Sequence, residues 1–175
     1  MTSPIALARS FLFVPATRPE LITRALASGA DAMIVDLEDA VAPKDKPAAR
    51  QQLARAFTSL DAAQRDRLLV RIDACGTPWH ADDIAAAGQL AALGLGGVML
   101  PKAESTSTVA QVVAAVGSAC ALVALIESVA GLDAVNELAC IPQVQRLAFG
   151  HLDFQADAGM ACDAHEAELV SVRLG

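Results

Sequence analysis

The chain has 175 residues, 54% of them apolar, which is enough for one hydrophobic core and excludes disorder. A net charge of −7 repels phosphate backbones, which excludes nucleic acid as a partner; an anionic substrate would need local Arg, Lys or a metal to draw it in. Aromatic residues make up only 3%, so the core must be built from Ala, Val, Leu and Ile, which suit close helix-on-sheet packing.

The first apolar run, Ser10-Phe-Leu-Phe-Val14, stops at Pro15 and is followed by a predicted helix from Pro19 to Ala27, closed by Ser28-Gly29. The second run, Ala32-Met-Ile-Val35, leads into Asp36-Leu37-Glu38-Asp39 and then a helix from Lys46 to Thr58. The third, Leu68-Leu-Val-Arg-Ile72, carries Arg71 inside it and runs into Asp73; a helix from Asp82 to Ala92 follows, ending at the turn Gly94-Leu-Gly-Gly97. The fourth, Gly97-Val-Met-Leu100, ends in Pro101-Lys102-Ala103-Glu104 before a helix from Thr106 to Val116. The fifth, Ala121 to Ile126, ends in Glu127 and precedes a helix from Gly131 to Leu138. The sixth, Arg146-Leu-Ala-Phe149, ends in Gly150-His151-Leu152-Asp153, and a final helix is predicted from Ala164 to Leu174.

These runs are apolar throughout rather than alternating, as in parallel strands covered on both faces. Six strand–helix repeats predict one α/β domain over residues 1–175 with right-handed parallel crossovers. Two architectures compete: a barrel and a doubly wound open sheet. The GxGxxG fingerprint expected after the first strand of a dinucleotide-binding sheet is absent, and so is a Walker motif.

Charged residues collect at the C-terminal end of strand after strand. In a barrel those ends converge on one face, where active sites lie. Glu127 and Asp153 close adjacent predicted strands, so their carboxylates should be near each other and repel unless a cation intervenes. Two carboxylates with open positions suit Mg²⁺, with Mn²⁺ as a substitute; helix caps or ion pairs are the alternative reading. Arg71 needs an anionic partner in its apolar strand, either an internal carboxylate or the carboxylate of a substrate. Lys102 pairs with an acid or adds positive charge, and Asp39 reads equally well as a helix cap. Gly150 and His151 offer backbone N–H groups at a strand-to-helix turn that can hold a carboxylate; the His151 ring is a structural group or a base.

The four cysteines, Cys75, Cys120, Cys140 and Cys162, form no CxxC pair and read as reduced thiols. Cys162 and His165 stand three apart, but two ligands make no zinc site. No signal peptide is visible, and the weakly polar run from Val112 to Ile126 is broken at Gly117-Ser118, too short to span a bilayer. A cytoplasmic protein that neither enters nor binds a membrane is expected.

Six segments together resemble the citrate lyase beta-subunit-like family: residues 9–19 (Arg-Ser-Phe-Leu-Phe-Val-Pro-Ala-Thr-Arg-Pro), 29–41 (Gly-Ala-Asp-Ala-Met-Ile-Val-Asp-Leu-Glu-Asp-Ala-Val), 70–74, 97–102, 125–128 and 149–154. They come in the family's order and spacing and cover residues 9 to about 160. The resemblance implies a TIM (β/α)₈-type barrel of the pyruvate/phosphoenolpyruvate-binding superfamily, ending here after about six βα units. It implies Mg²⁺ held by Glu127 and Asp153, a keto-acid or hydroxy-acid carboxylate held by Arg71, and Asp36 and Glu38 around metal-bound water. It also implies that Arg18 helps to hold the phosphates of CoA, and that the protein is a homo-oligomer, a trimer or hexamer.

The activity so implied is cleavage of a C–C bond in citryl-CoA, malyl-CoA or citramalyl-CoA, giving a keto acid such as oxaloacetate and an acyl-CoA. Family members run on through two more strands, and a catalytic acid can come from the C-terminal portion of a neighbouring subunit. The competing readings are a thioesterase or malate-synthase-like enzyme, and a non-catalytic subunit that binds CoA or a keto acid.

Overall fold

The computed structural model describes residues 3–174; Met1, Thr2 and Gly175 lie outside the described residues. All six predicted strands form: β1 (Phe11–Pro15), β2 (Ala32–Asp36), β3 (Leu68–Arg71), β4 (Gly97–Leu100), β5 (Ala121–Ile126) and β6 (Val144–Phe149). Their order in the sheet is β1-β2-β3-β4-β5-β6, and every neighbouring pair is parallel. This order settles the choice of architecture. Every crossover steps the same way, so right-handed crossovers place the helices on a single face of the sheet. A doubly wound sheet reverses direction once, and this one never does. The progression is that of a (β/α) barrel, here an open sheet with β1 and β6 at its edges.

Two apolar layers follow from the two-residue period of the strands. On the helix side, Met33, Val35, Leu68, Val70, Val98, Leu100, Leu122 and Ala124 pack against Ile22 and Leu26 of α2 (Leu21–Leu26), Leu53 and Phe57 of α3 (Lys46–Thr58), Leu90 of α5 (His80–Ala91) and Val109 and Val112 of α6 (Thr106–Val116). Leu53 and Phe57 are one turn apart on α3, which places both on the sheet-facing stripe. Truncating Leu53 to Ala there would cost about 2–5 kcal/mol. On the other side, Ile34, Leu69, Met99, Val123 and Leu125 form a smaller cluster with Ile5 and Ala8.

Ile5 belongs to α1 (Pro4–Leu7), a short helix capped by Ser3 that closes the N-terminal end of this second layer. Arg146 of β6 donates to the carbonyls of Ile5 and Ala6, and its guanidinium lies over the Phe11 ring, so the first and last parts of the sheet are tied across its open side. Arg146 and Phe11 thereby close one end of the inner layer and line the cavity that reaches the charged residues at the other.

Several expectations need correction. The central strands are buried on both faces, but the edge strands are not: Leu12, Phe13 and Leu147 are exposed. Helices α1 and α4 (Ala62–Asp66) were not foreseen; α4 is barely more than one turn, held by a capping box between Asp61 and Gln64. The helix expected over 131–138 is two, α7 (Val129–Asp133) and α8 (Val135–Ala139). A helix, α9 (His151–Asp157), starts directly after β6, and the last predicted helix shrinks to a 3₁₀ turn at Ala167–Leu169 and α10 (Val170–Leu174). All four cysteines are free, and among the described residues no helix is long and apolar enough to cross a membrane.

Candidate active site at the C-terminal ends of the strands

The charged residues that follow the strands do meet on one face. β2 and β3 are in a register that sets Asp36 directly opposite Arg71, so both side chains leave the sheet on the same side. Arg71 makes a two-pronged pair with Asp36: Nε donates to Oδ1 at 2.8 Å and Nη2 to Oδ2 at 2.7 Å. The same carboxylate accepts the backbone N–H groups of Glu38 and Ala40, at 2.9 and 3.1 Å, which folds the loop after β2 around it.

Arg71 Nη1 lies 2.9 Å from Glu38 Oε2, but off the N–H direction, and that buried oxygen has no hydrogen-bond partner. Asp39 approaches Nη2 at 3.4 Å. Burial works against the charge on Arg71, but Asp36, with Glu38 and Asp39, outweighs it, so the guanidinium is held more firmly protonated than usual. Its charge is thereby already matched, and Glu38 is the surplus acid. Burial, with Asp39, Glu127 and Asp36 nearby and Arg71 opposing, pushes the Glu38 carboxyl up to about 8.

Glu127 follows β5 and is buried; its Oε1 accepts the backbone N–H of Lys102 at 3.0 Å. Lys102 sits in the left-handed region at φ 45°, an unusual conformation for a side chain of its size, and this turns its amide toward Glu127. Its ammonium reaches Asp153 Oδ2 at 3.4 Å. One residue after β4 therefore bridges the acids that follow β5 and β6, as expected for neighbouring strands. Burial raises the Glu127 carboxyl above its usual range, and Asp153 adds to the effect.

Gly150 has no room for a side chain: a Cβ there would stand 2.7 Å from Glu127 Oε2. Its N–H donates to the Ile126 carbonyl, so it is not free to hold a substrate carboxylate, and its contribution is space. His151 opens α9, with Nε2 3.3 Å from Glu166. Arg18, in the turn after β1, is exposed and paired with Glu20. It lies outside the cavity of about 430 Å³ that Phe13, Arg71, Leu125, Glu127, Gly150 and Asp153 line.

The charge balance of this rim is uneven. Four carboxylates (Asp36, Asp39, Glu127 and Asp153), with the Glu38 carboxyl beside them, face two cations, Arg71 and Lys102. Glu127 and Asp153 are hard oxygen donors, and a 3.4 Å contact to one exposed ammonium neutralises them only partly. The donor set therefore fits a divalent cation. Among the described residues no group of three or more His, Cys, Asp and Glu is gathered to hold an ion by itself. Two protein carboxylates with the remaining positions left to water and substrate oxygens is the usual arrangement for Mg²⁺.

Sequence reasoning missed a second ionic cluster behind this rim. Lys46, at the start of α3, is buried against Asp73, with Nζ 2.7 Å from Oδ1. One turn on, Arg50 pairs with buried Asp83 at 2.8 Å. The available signal was the spacing of Lys46 and Arg50, which puts both on one helix face, beside the acid that follows β3.

A parallel sheet wound in one direction, with acids from adjacent strands collected at its C-terminal rim around a cavity, defines a barrel-type α/β protein with a rim suited to metal-assisted chemistry. Residues 9–174 match the HpcH/HpaI aldolase/citrate lyase family, and the chain belongs to that family. It is 34% identical over 169 residues to the L-malyl-CoA/beta-methylmalyl-CoA lyase of Rhodobacter capsulatus, an alignment spanning 91% of this chain and 53% of that protein. It is 39% identical over 149 residues to a citrate lyase subunit beta-like protein of Mycobacterium tuberculosis, spanning 85% and 50%.

Among solved structures, the citrate lyase beta subunit of M. tuberculosis complexed with oxaloacetate and magnesium superposes with a TM-score of 0.75 at 36% identity, covering 93% of this chain and 68% of that one. The M. tuberculosis protein CitE in complex with magnesium, acetoacetate and coenzyme A gives 0.73 at 36%, covering 93% and 57%. The chain spans about half the length of the curated relatives it matches.

Proposed function

We propose that the chain supplies the metal-binding half of a Mg²⁺-dependent carbon–carbon lyase that cleaves an acyl-CoA thioester of a small hydroxy acid into a keto acid and a shorter acyl-CoA. The observation that carries this reading is the pairing of two undercompensated carboxylates, Glu127 and Asp153, with Arg71 around one cavity. The relatives named as malyl-CoA lyase, and the neighbours holding magnesium with oxaloacetate or with coenzyme A, support it.

In the proposed roles Glu127 and Asp153 hold the metal, with Mn²⁺ able to replace Mg²⁺. A cation held there supplies positive charge to oxygen atoms that become negative during the reaction. Arg71 orients the substrate carboxylate through Nη1, the nitrogen that Asp36 leaves unbonded and beside which Glu38 Oε2 stands at 2.9 Å without accepting from it. Asp36 fixes the plane of that guanidinium. Glu38, with its carboxyl raised to about 8, is the rim acid that holds a proton near neutral pH, and it faces Arg71.

Cleavage takes the proton from the substrate hydroxyl and breaks the bond between the carbinol carbon and the carbon next to the thioester. The electron pair stays on the thioester fragment as an enolate, which is then protonated. Gly150 leaves the space that brings Glu127 to the cavity, His151 stands at its wall, and Arg18 meets CoA phosphate outside it. We further propose a cytoplasmic homo-oligomer, in which the exposed apolar residues of β1 and β6 are covered.

The test is to incubate the chain with malyl-, citramalyl- and citryl-CoA, with and without Mg²⁺, and to follow products by mass spectrometry. Metal-dependent release of a keto acid with an acyl-CoA is the expected result. Release of free CoA alone would make it a thioesterase, and binding without turnover would leave a non-catalytic subunit.

A further inference from the structure

The rear cluster is more than a structural ion pair, because of what else its lysine touches. Lys46 Nζ has three N–H bonds and three acceptors: Asp73 Oδ1 at 2.7 Å, the Leu37 carbonyl at 2.7 Å and the Glu38 carbonyl at 3.0 Å. The ammonium also lies 5.0 Å from the centre of the Trp79 ring. Every donor is occupied and the group is buried, so it has no route to substrate or metal. Two of its acceptors are consecutive carbonyls of the loop after β2, and the third is the carboxylate two residues after Arg71. The loop that carries Glu38 is thus held from above by the Asp36 carboxylate, which accepts the amides of Glu38 and Ala40, and from behind by Lys46.

Asp73 is anchored in turn. Its backbone N–H donates to Asp83 Oδ2 at 2.8 Å, its carbonyl contacts His80 Nδ1 at 2.7 Å, and Asp83 is clamped by Arg50. Lys46 and Arg50 share one face of α3, so that helix fixes the far ends of both ties.

We infer that Lys46 is a positioning residue: by tying the Leu37 and Glu38 carbonyls to Asp73 it sets where Glu38 and Asp36 stand relative to Arg71. Its catalytic consequence rests on the lyase reading; its structural content does not.

The experiment uses the 175-residue chain and replaces the ion pair as a unit, Lys46→Met with Asp73→Leu, so that no charge is left buried and unpaired. Amide exchange at Glu38 and Ala40 should quicken by about tenfold or more, while Val98 and Leu100 in β4 exchange as before. Mg²⁺ binding should not change, because Glu127 and Asp153 are untouched. Thioester kcat should fall about 100-fold, since small misplacements of orienting groups have that scale of effect, with KM within about threefold of the parent.

Should the double variant fail to fold, Lys46→Arg keeps the charge and the Asp73 partner. Its planar fork cannot point at three acceptors set around one ammonium, so the same two amides should lose protection. Unchanged protection at Glu38 and Ala40, or lost protection with kcat at the parent value, overturns the proposal. If the parent chain cleaves no thioester, the lyase reading has failed separately, and the exchange result alone decides whether Lys46 holds the loop.

Discussion

Two ionic clusters lie on either side of the loop after β2, and they are built on opposite rules. Behind the loop, Lys46 and Arg50 meet Asp73 and Asp83 in buried contacts of 2.7 and 2.8 Å, and Arg50 also reaches the exposed Asp82 at 3.0 Å. In front of it, five carboxyl groups share Arg71 and Lys102 at the mouth of a cavity, whereas each cluster leaves one buried carboxylate oxygen without a hydrogen-bond partner, Glu38 Oε2 in front and Asp73 Oδ2 behind. A balanced buried cluster holds a shape. An unbalanced one at the mouth of a cavity carries a charge deficit that an ion or substrate can fill. The difference teaches where to look for chemistry in a rim full of acids: where compensation is incomplete.

The comparison is broken most severely at Glu127. Glu127→Ala should lower Mg²⁺-dependent turnover by well over 100-fold, because even partners of metal ligands are worth about 10–100-fold. It should also remove a buried carboxylate whose charged form burial disfavours while leaving the Lys102 N–H without its acceptor, so the two effects offset and the metal-free variant should melt close to the parent. Activity assays beside melting curves check both halves.

The rear cluster should behave in the reverse way. Asp73→Ala leaves the Lys46 ammonium buried without its anion, and about 3–5 kcal/mol of stability should be lost. Denaturant titration measures this, and a loss below about 1 kcal/mol, the range of exposed pairs, would show that the two clusters do not differ as described.

A subtler probe leaves every charge in place. Gly150→Ala puts a methyl group 2.7 Å from Glu127 Oε2 and should weaken Mg²⁺ binding about tenfold with little change in fold. Calorimetric titration of both proteins reads the difference.

The smallest effect concerns pH. The Glu38 carboxyl, raised to about 8 by burial, holds a proton in the folded protein that the unfolded chain releases near 4.5. The folded state gains from that proton below about 4.5 and loses the gain as pH rises through about 8. Metal-free melting temperatures of the parent should therefore fall, relative to Glu38→Gln, as pH rises through that window. Melting curves from pH 5 to 8.5 show whether the two proteins diverge.

Much of this was legible in the sequence, for identifiable reasons. The central strands are unbroken apolar runs bounded by Gly, Pro or charge, and Ala121–Ile126 and Gly97–Leu100 form as expected. The acids after β5 and β6 were located because adjacent parallel strands must deliver their ends together. The partner of Arg71 was not legible: an internal carboxylate and a substrate carboxylate satisfy the same need, and only the Asp36–Arg71 register reveals that Asp36 takes Nε and Nη2. Gly150 was misread for a related reason. A glycine before a helix looks like an anion-binding turn, but its N–H completes the β5–β6 ladder at Ile126. Lys46 gave only the faint signal of its four-residue spacing from Arg50, since a lysine opening a helix ordinarily points to solvent, and its burial depends on carbonyls and an acid from two other parts of the chain.

The most direct measurement is Mg²⁺ binding by isothermal titration to the 175-residue chain and to its Glu127→Ala and Asp153→Ala variants. Saturable binding at one site per chain, lost in both variants and strengthened by oxaloacetate, is the predicted result. Equal binding by all three proteins, or none by the parent at millimolar metal, would contradict the assignment of the cation site.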